Sequence, residues 1–209
     1  MRRLTFICPQ GHTQRINAVK FNKSDQVVVS ASYDATVKAW DTRSNMKDPI
    51  QSLGEFKDSV TSLVVTESDI IAASVDGTVR CFDIRMGKMT TDHVAQAITS
   101  LRLSNDGNCL LLSCLDNTIR LLDKGTGGLL GEYQGHQQTA YSVESCFTNT
   151  DAHVVSGSED SRIVFWDLVE AKVVHTLTGH TKAVVSLDFH PEKVCMLSAS
   201  SDGTAKCWF

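Results

Sequence analysis

A chain of 209 residues, 42% hydrophobic and 21% charged, can bury a sizeable core and is ordinary in composition for a globular protein. Its 20 basic and 24 acidic side chains leave a formal charge of -4, which excludes a general electrostatic pull toward nucleic acid or an anionic membrane. No run approaches the ~18 apolar residues of a membrane span, and the apolar stretch after Arg2-Arg3 is too short for a secretory signal.

Seven cysteines (Cys8, Cys81, Cys109, Cys114, Cys146, Cys195 and Cys207) are an odd number without a CxxC pair. Most lie in apolar, strand-like runs, where a free cysteine behaves as a small hydrophobe, so reduced core thiols in a reducing compartment are expected.

Taken in order, the chain repeats one pattern five times. Asp34, Asp76, Asp116, Asp160 and Asp202 stand 42, 40, 44 and 42 residues apart, and six residues after each comes Trp40, Phe82, Leu122, Trp166 or Trp208. In the first four, Asp41, Asp83, Asp123 or Asp167 follows at once. The pattern marks units at 11–53, 54–93, 94–134, 135–178 and 179–209 within a single domain over 1–209. Asp76-Gly77 in the second unit and Asn105-Asp106-Gly107 in the third are clear hairpin turns. In the fourth, residues 141–147, 153–158, 162–166 and 173–177 are short runs rich in β-branched and aromatic residues, divided at 149–151 and 159–161. Four antiparallel strands in about 40–45 residues describe one blade of a β-propeller, so the fold expected is all-β with five four-stranded blade units. The last unit stops at Trp208-Phe209 after its third strand. Residues 2–8, ahead of the first Gly-His, are expected to supply the missing outer strand and so remove a free sheet edge.

Three units carry a full set of polar residues: His12, Ser30, Asp34 and Trp40; His136, Ser156, Asp160 and Trp166; His180, Ser198, Asp202 and Trp208. A buried indole N–H and a buried imidazole each need a partner, and a carboxylate at a strand turn can orient the ring. A hydrolase triad occurs once at a cleft; this set recurs with a Trp each time, which marks it as framework. The second unit has Phe56, Ala72 and Phe82 in these places and the third has Leu112 and Leu122, so packing is expected to replace the polar network there. No GxSxG, HExxH or phosphate-binding glycine loop stands apart from the repeat, and no cofactor, metal or small-molecule substrate is expected. His93, His153, His175 and His190 are scattered without ligand spacing.

The Gly-His and Trp-Asp signs resemble the WD-repeat family, whose hydrogen-bonded tetrads join Trp, Ser, His and Asp. Residues 74–89 (SVDGTVRCFDIRMGKM), 121–136 (LLDKGTGGLLGEYQGH) and 153–170 (HVVSGSEDSRIVFWDLVE) narrow the likeness to the WD-repeat organizers of mitogen-activated protein kinase cascades, over residues 2–208. The resemblance implies a non-catalytic scaffold that assembles kinase-cascade components, an association with the spliceosome in pre-mRNA splicing, and a cytoplasmic and nuclear location. Members of that family are seven-bladed; the chain matches the last five units, so an incomplete or five-bladed version lacking the first two blades is expected.

By the same resemblance, the residue before each turn Asp lies on a rim. Tyr33, Val75, Leu115, Glu159 and Ser201 occupy that place, and the apolar three, Tyr33, Val75 and Leu115, are the candidate partner contact. A second possibility is a substrate receptor for a cullin-type ubiquitin ligase, since Trp40-Asp41-Thr42-Arg43 matches the WDxR motif of such receptors and Phe82-Asp83-Ile84-Arg85 approximates it; Arg43 and Arg85 would then touch the adaptor. Protein partners are expected, with no direct nucleic-acid contact and no membrane.

Overall fold

A computed structural model describes residues 11–43, 48–190 and 192–209. The expected outer strand at 2–8 lies outside the described residues. Among the described residues there is no helix, and five antiparallel sheets follow one another along the chain. The first holds β1 (Ile16–Phe21), β2 (Val27–Ser32), β3 (Val37–Asp41) and β4 (Gln51–Leu53), and the second β5 (Val60–Val65), β6 (Asp69–Ser74), β7 (Thr78–Asp83) and β8 (Met89–His93). The third holds β9 (Ile98–Leu103), β10 (Cys109–Cys114), β11 (Thr118–Asp123) and β12 (Leu129–Tyr133). The fourth holds β13 (Ser145–Phe147), β14 (His153–Gly157), β15 (Arg162–Asp167) and β16 (Val173–Thr178), and the fifth has β17 (Val184–Phe189), β18 (Met196–Ser200) and β19 (Ala205–Trp208). Strands pair in chain order, which is the blade meander the repeat implies. The chain divides into two compact units, Met1–Thr91 and Asp92–Phe209, with the boundary inside β8.

The turn after the second strand of each blade has one chemistry. The residue after the turn Asp takes positive φ in all five: Ala35 (63°), Gly77 (77°), Asn117 (59°), Ser161 (72°) and Gly203 (83°). Glycine relieves this in two blades; alanine and serine bear the left-handed conformation in two others because neighbouring hydrogen bonds fix the turn. The Ser two places before the Asp accepts its N–H, as in Ser32 with Asp34, Ser74 with Asp76 and Ser200 with Asp202, each at 3.1 Å. The Asp Oδ1 accepts the hydroxyl of the Thr two places after it: Thr36 at 2.6 Å, Thr78 at 2.5 Å and Thr204 at 2.7 Å.

Cores lie between neighbouring blades. In the first unit, Val29, Ala31, Val37 and Ala39 pack on Phe56, Val60, Leu63 and Phe82, and Asn17 Nδ2 donates to Ser59 Oγ (2.9 Å) and Val60 O (2.8 Å) in the next blade. In the second unit, Leu111, Ile119, Leu121 and Tyr133 cover Phe147, Val154, Val164 and Trp166. Further on, Cys146, Val155 and Ile163 meet Val184, Leu187 and Met196. Gly157 belongs at this junction: a Cβ there would lie 2.2 Å from the Val184 carbonyl oxygen. An asparagine ladder crosses the same blades, with Asn105 Nδ2 donating to the Asp151 carboxylate (2.8 Å) and Asn149 Nδ2 to His190 O (2.6 Å).

Two expectations need correction. The first strand of the fourth blade covers only Ser145–Phe147, not 141–147, because Glu159 Oε1 accepts the backbone N–H groups of Thr139, Ala140 and Tyr141 at 2.7–2.9 Å and holds that stretch as a loop. The cysteines are not uniformly core residues either. None of the six described is in a disulfide, but only Cys114 and Cys146 are buried; Cys81, Cys109 and Cys195 are half-buried and Cys207 is exposed.

Candidate functional site

In the first and last blades the set joins the second and third strands, and the turn between them, to the loop that enters the blade. In the first blade, His12 Nδ1 donates to Asp34 Oδ2 at 3.0 Å and His12 Nε2 meets Ser30 Oγ at 2.7 Å. Trp40 Nε1 donates to the same Ser30 Oγ at 2.9 Å. The last blade repeats this: His180 Nδ1 to Asp202 Oδ2 at 2.9 Å, His180 Nε2 with Ser198 Oγ at 2.8 Å, and Trp208 Nε1 to Ser198 Oγ at 2.9 Å. Because the carboxylate can only accept, Nδ1 carries the proton and Nε2 takes the serine hydroxyl.

The order Asp–His–Ser is that of a hydrolase triad, yet the geometry forbids the chemistry. Ser30 and Ser198 are only 3% and 2% exposed, and each oxygen is already occupied by an indole N–H. No room remains for a carbonyl to approach. The glycine before each His belongs to the same packing, since a Cβ on Gly11 would lie 2.0 Å from the Trp40 ring and one on Gly179 2.9 Å from Trp208.

Burial pushes the Asp34 carboxyl up, but hydrogen bonds from Thr36, the Thr13 N–H and His12 overcome this and bring it down to about 2. Asp202 is also lowered, first by its bond from Thr204. A carboxylate with a depressed folded-state pKa contributes stability that is present above its unfolded value, near 3.8, and lost as pH falls through about 2. Asp34→Asn is therefore expected to lower the melting temperature at pH 7 and to narrow the gap to wild type between pH 4 and pH 2, as read by circular dichroism. A gap constant with pH would contradict the assignment.

The fourth blade does not assemble its set. Both ring nitrogens of His136, a residue 3% exposed, lack a hydrogen-bond partner among the described residues, as does Gln138 Oε1. Trp166 Nε1 donates instead to Gln134 O at 2.8 Å, Ser156 Oγ to Gly157 O at 2.9 Å, and Asp160 Oδ2 takes Arg162 Nε at 2.8 Å. The cause is in the spacing. His12–Asp34 and His180–Asp202 are 22 residues apart, whereas His136–Asp160 are 24 apart, the two extra residues falling before β13. Arg162 also stands where other blades place the turn Thr, and it captures the carboxylate. Burial pushes the His136 imidazole below its ordinary value, outweighing the opposing effect of the nearby Gln138 side chain, which falls short of hydrogen-bond geometry; the ring packs edge-on to Trp166, with centroids 5.6 Å apart.

The second and third blades keep the turn Asp and change its partner. The Phe56 and Phe82 rings pack at a tilt of 57° with centroids 6.2 Å apart, and the buried Arg80 guanidinium lies 4.4 Å over Phe56 while donating to Asp76 at 3.3 Å. Arg120 pairs with Asp116 at 2.7 Å. An arginine four places after the Asp thus replaces the missing histidine in both. The Ser and Thr flanking the turn Asp were the framework residues not singled out from the sequence, although the recurrence of Ser-x-Asp-x-Thr at 32–36, 74–78 and 200–204 announces them.

The rim residues share a backbone contact. Tyr33, Val75, Leu115, Glu159 and Ser201 each donate their N–H to a carbonyl in the loop before the first strand, at 2.8–3.1 Å. Only Tyr33 of the apolar three is exposed, at 53%; Val75 and Leu115 are half-buried. Arg43 and Arg85 are exposed, each with its backbone N–H held by the preceding Asp41 or Asp83 at 2.8 Å. Among the described residues no cluster of His, Cys, Asp and Glu could hold a metal ion, and no helix is long and apolar enough to cross a membrane. His153 and His175 line an apolar groove of about 370 Å³ with Phe165, Phe189 and Val194, while His93 and His190 are exposed.

Comparison with known proteins agrees with this geometry. The family described as WD domain, G-beta repeat, matches residues 3–41, 87–123, 127–167 and 171–208; the second blade, with its Phe56–Phe82 core, falls mostly between matched segments. WD repeat domain-containing protein 83 of Rattus norvegicus is 46% identical over 166 residues, covering 79% of this chain and 52% of the rat protein. Its Homo sapiens counterpart is 45% identical over 79% and 52%. The Dictyostelium discoideum homolog is 31% identical over 94% of this chain and 69% of its own. The chain spans about half the length of the rat and human relatives. Among solved structures, the computationally designed Ika8 protein superimposes with a TM-score of 0.78 at 27% identity, over 95% of this chain and 59% of that one.

Proposed function

The chain belongs to the WD-repeat family, and on that footing we propose that it is a non-catalytic protein-interaction scaffold that assembles components of a mitogen-activated protein kinase cascade. The observation that carries this reading is the occupancy of the repeated Ser-His-Asp sets. In the first and last blades the Ser hydroxyl and the His ring are buried and spent on joining strand to loop, and the turns of a rigid frame remain as the functional surface. The similarity to WD repeat domain-containing protein 83 supports the kinase-cascade assignment, and by the same resemblance an association with the spliceosome. Contact would run through proteins, in the cytoplasm and nucleus, with no cofactor.

The candidate contact is the turn position of Tyr33, Val75 and Leu115, where a backbone hydrogen bond anchors each residue. Changing all three to Asp is expected to reduce capture of kinase-cascade proteins from lysate at least tenfold, with an unchanged circular dichroism spectrum. Undiminished capture would remove the rim from the reading; recovery of spliceosomal proteins alone would move the assignment to splicing.

A second reading rests on Arg43, whose side chain is 68% exposed in Trp40-Asp41-Thr42-Arg43. As a substrate receptor of a cullin-type ligase, the chain would present Arg43, and Arg85 in the next blade, to the adaptor. Arg43→Ala would then abolish adaptor co-purification while leaving rim-dependent capture intact.

A further inference from the structure

Cys195 and Cys207 stand at the base of the β18–β19 hairpin with their sulfurs 3.1 Å apart. That is about an ångström more than the ~2.05 Å of a disulfide bond. The closeness follows from register: Leu197 opposes Cys207 and Met196 opposes Trp208, so Cys195 sits diagonally across from Cys207 on the same face of the sheet. The corresponding pairs in the other blades are Val27 and Ala39, Asp69 and Cys81, Cys109 and Leu121, and His153 and Phe165. Only the last blade has a cysteine at both places, so the pair is not a by-product of the repeat.

This face is also open. Leu197, between the two thiols, is 54% exposed, whereas its equivalents Val29 and Val155 are 1% and 0% exposed beneath the next blade. Cys207 is exposed where Ala39 is 7% exposed. Reactive thiols need access as well as proximity, and this pair has both. Cys114 and Cys146, by contrast, are buried.

We propose that Cys195 and Cys207 form a reversible dithiol–disulfide site that is oxidised by hydrogen peroxide and reduced by thiols. The Cys195 thiolate attacks one peroxide oxygen, the O–O bond breaks, and the departing hydroxide takes up the thiol proton as water, leaving a sulfenic acid. The Cys207 sulfur then displaces that oxygen; the S–S bond forms, the S–O bond breaks, and the hydroxide leaves as a second water with the Cys207 proton. Two thiols and one peroxide thus give one disulfide and two waters, with the sulfurs oxidised and the peroxide reduced. A dithiol reductant reverses the change by exchange. The Cys207 thiol is held above its ordinary value, first by its hydrogen bond with Cys195, which fits Cys207 as the proton-bearing partner and Cys195 as the attacking one. The product ties the two strands of the final hairpin together at their open end.

The test treats the full chain with hydrogen peroxide, blocks remaining thiols with N-ethylmaleimide under denaturing conditions, and maps peptides by mass spectrometry. The expected result is one linkage, Cys195 to Cys207, with the free thiol count falling from seven to five and returning to seven after dithiothreitol. Cys195→Ser and Cys207→Ser, both conservative at solvent-accessible positions, should each abolish the linkage while leaving the circular dichroism spectrum unchanged. Retention of seven free thiols, a linkage through Cys8 or any other cysteine, or a linkage only between two chains would overturn the proposal.

Discussion

Trp166→Ala is expected to lower the unfolding free energy by about 3–5 kcal/mol, the range for removing a large aromatic side chain from a packed core. Its ring is fully buried between Leu111, Ile119, Leu121 and Tyr133 on one side and Phe147, Val154 and Val164 on its own. Its indole N–H also satisfies Gln134 O, which the substitution would leave without that partner. Trp40, the equivalent residue of the first blade, is only half-buried, so Trp40→Ala should cost distinctly less although its indole N–H is also hydrogen-bonded, to Ser30 Oγ. Urea unfolding followed by circular dichroism compares the two; equal losses would mean that blade-to-blade covering does not set the contribution of these tryptophans.

Ser198→Ala is the second large effect expected. One hydroxyl there serves both the Trp208 indole and the His180 ring, so its removal orphans two nitrogens at about 1–3 kcal/mol each, or about 2–4 kcal/mol together after relaxation. Ser156→Ala, in the blade whose set is not assembled, removes one hydroxyl bonded to Gly157 O and should cost about 1 kcal/mol. The sequence alone would assign both serines the same loss.

That contrast locates the limit of sequence reading here. The repeat, its turn Asp and the strands were legible because strand period, β-branched content and turn residues all obey the same local rules. The sets at His12 and His180 were legible because both keep the 22-residue spacing to Asp and the Thr two places beyond it. The failure of the His136 set was written in the 24-residue spacing and in Arg162, but a motif match tolerates both, whereas a hydrogen bond does not tolerate a displaced ring. Arg80 and Arg120 were overlooked for a different reason. Their role depends on a strand placing a side chain back over the turn four residues earlier, and that is a three-dimensional relation. Val75 and Leu115 at the rim are half-buried, a degree of exposure that composition cannot reveal.

The central claim is that the recurring histidines serve as framework only where their partners are in place. It is tested most directly by measuring urea unfolding of His180→Leu and His136→Leu side by side at pH 7. The His180 variant should lose about 2–4 kcal/mol, because Ser198 and Asp202 lose a buried partner. The His136 variant should match or exceed wild type, because a buried ring without hydrogen bonds gives way to an apolar side chain. Equal losses in the two variants would contradict the account.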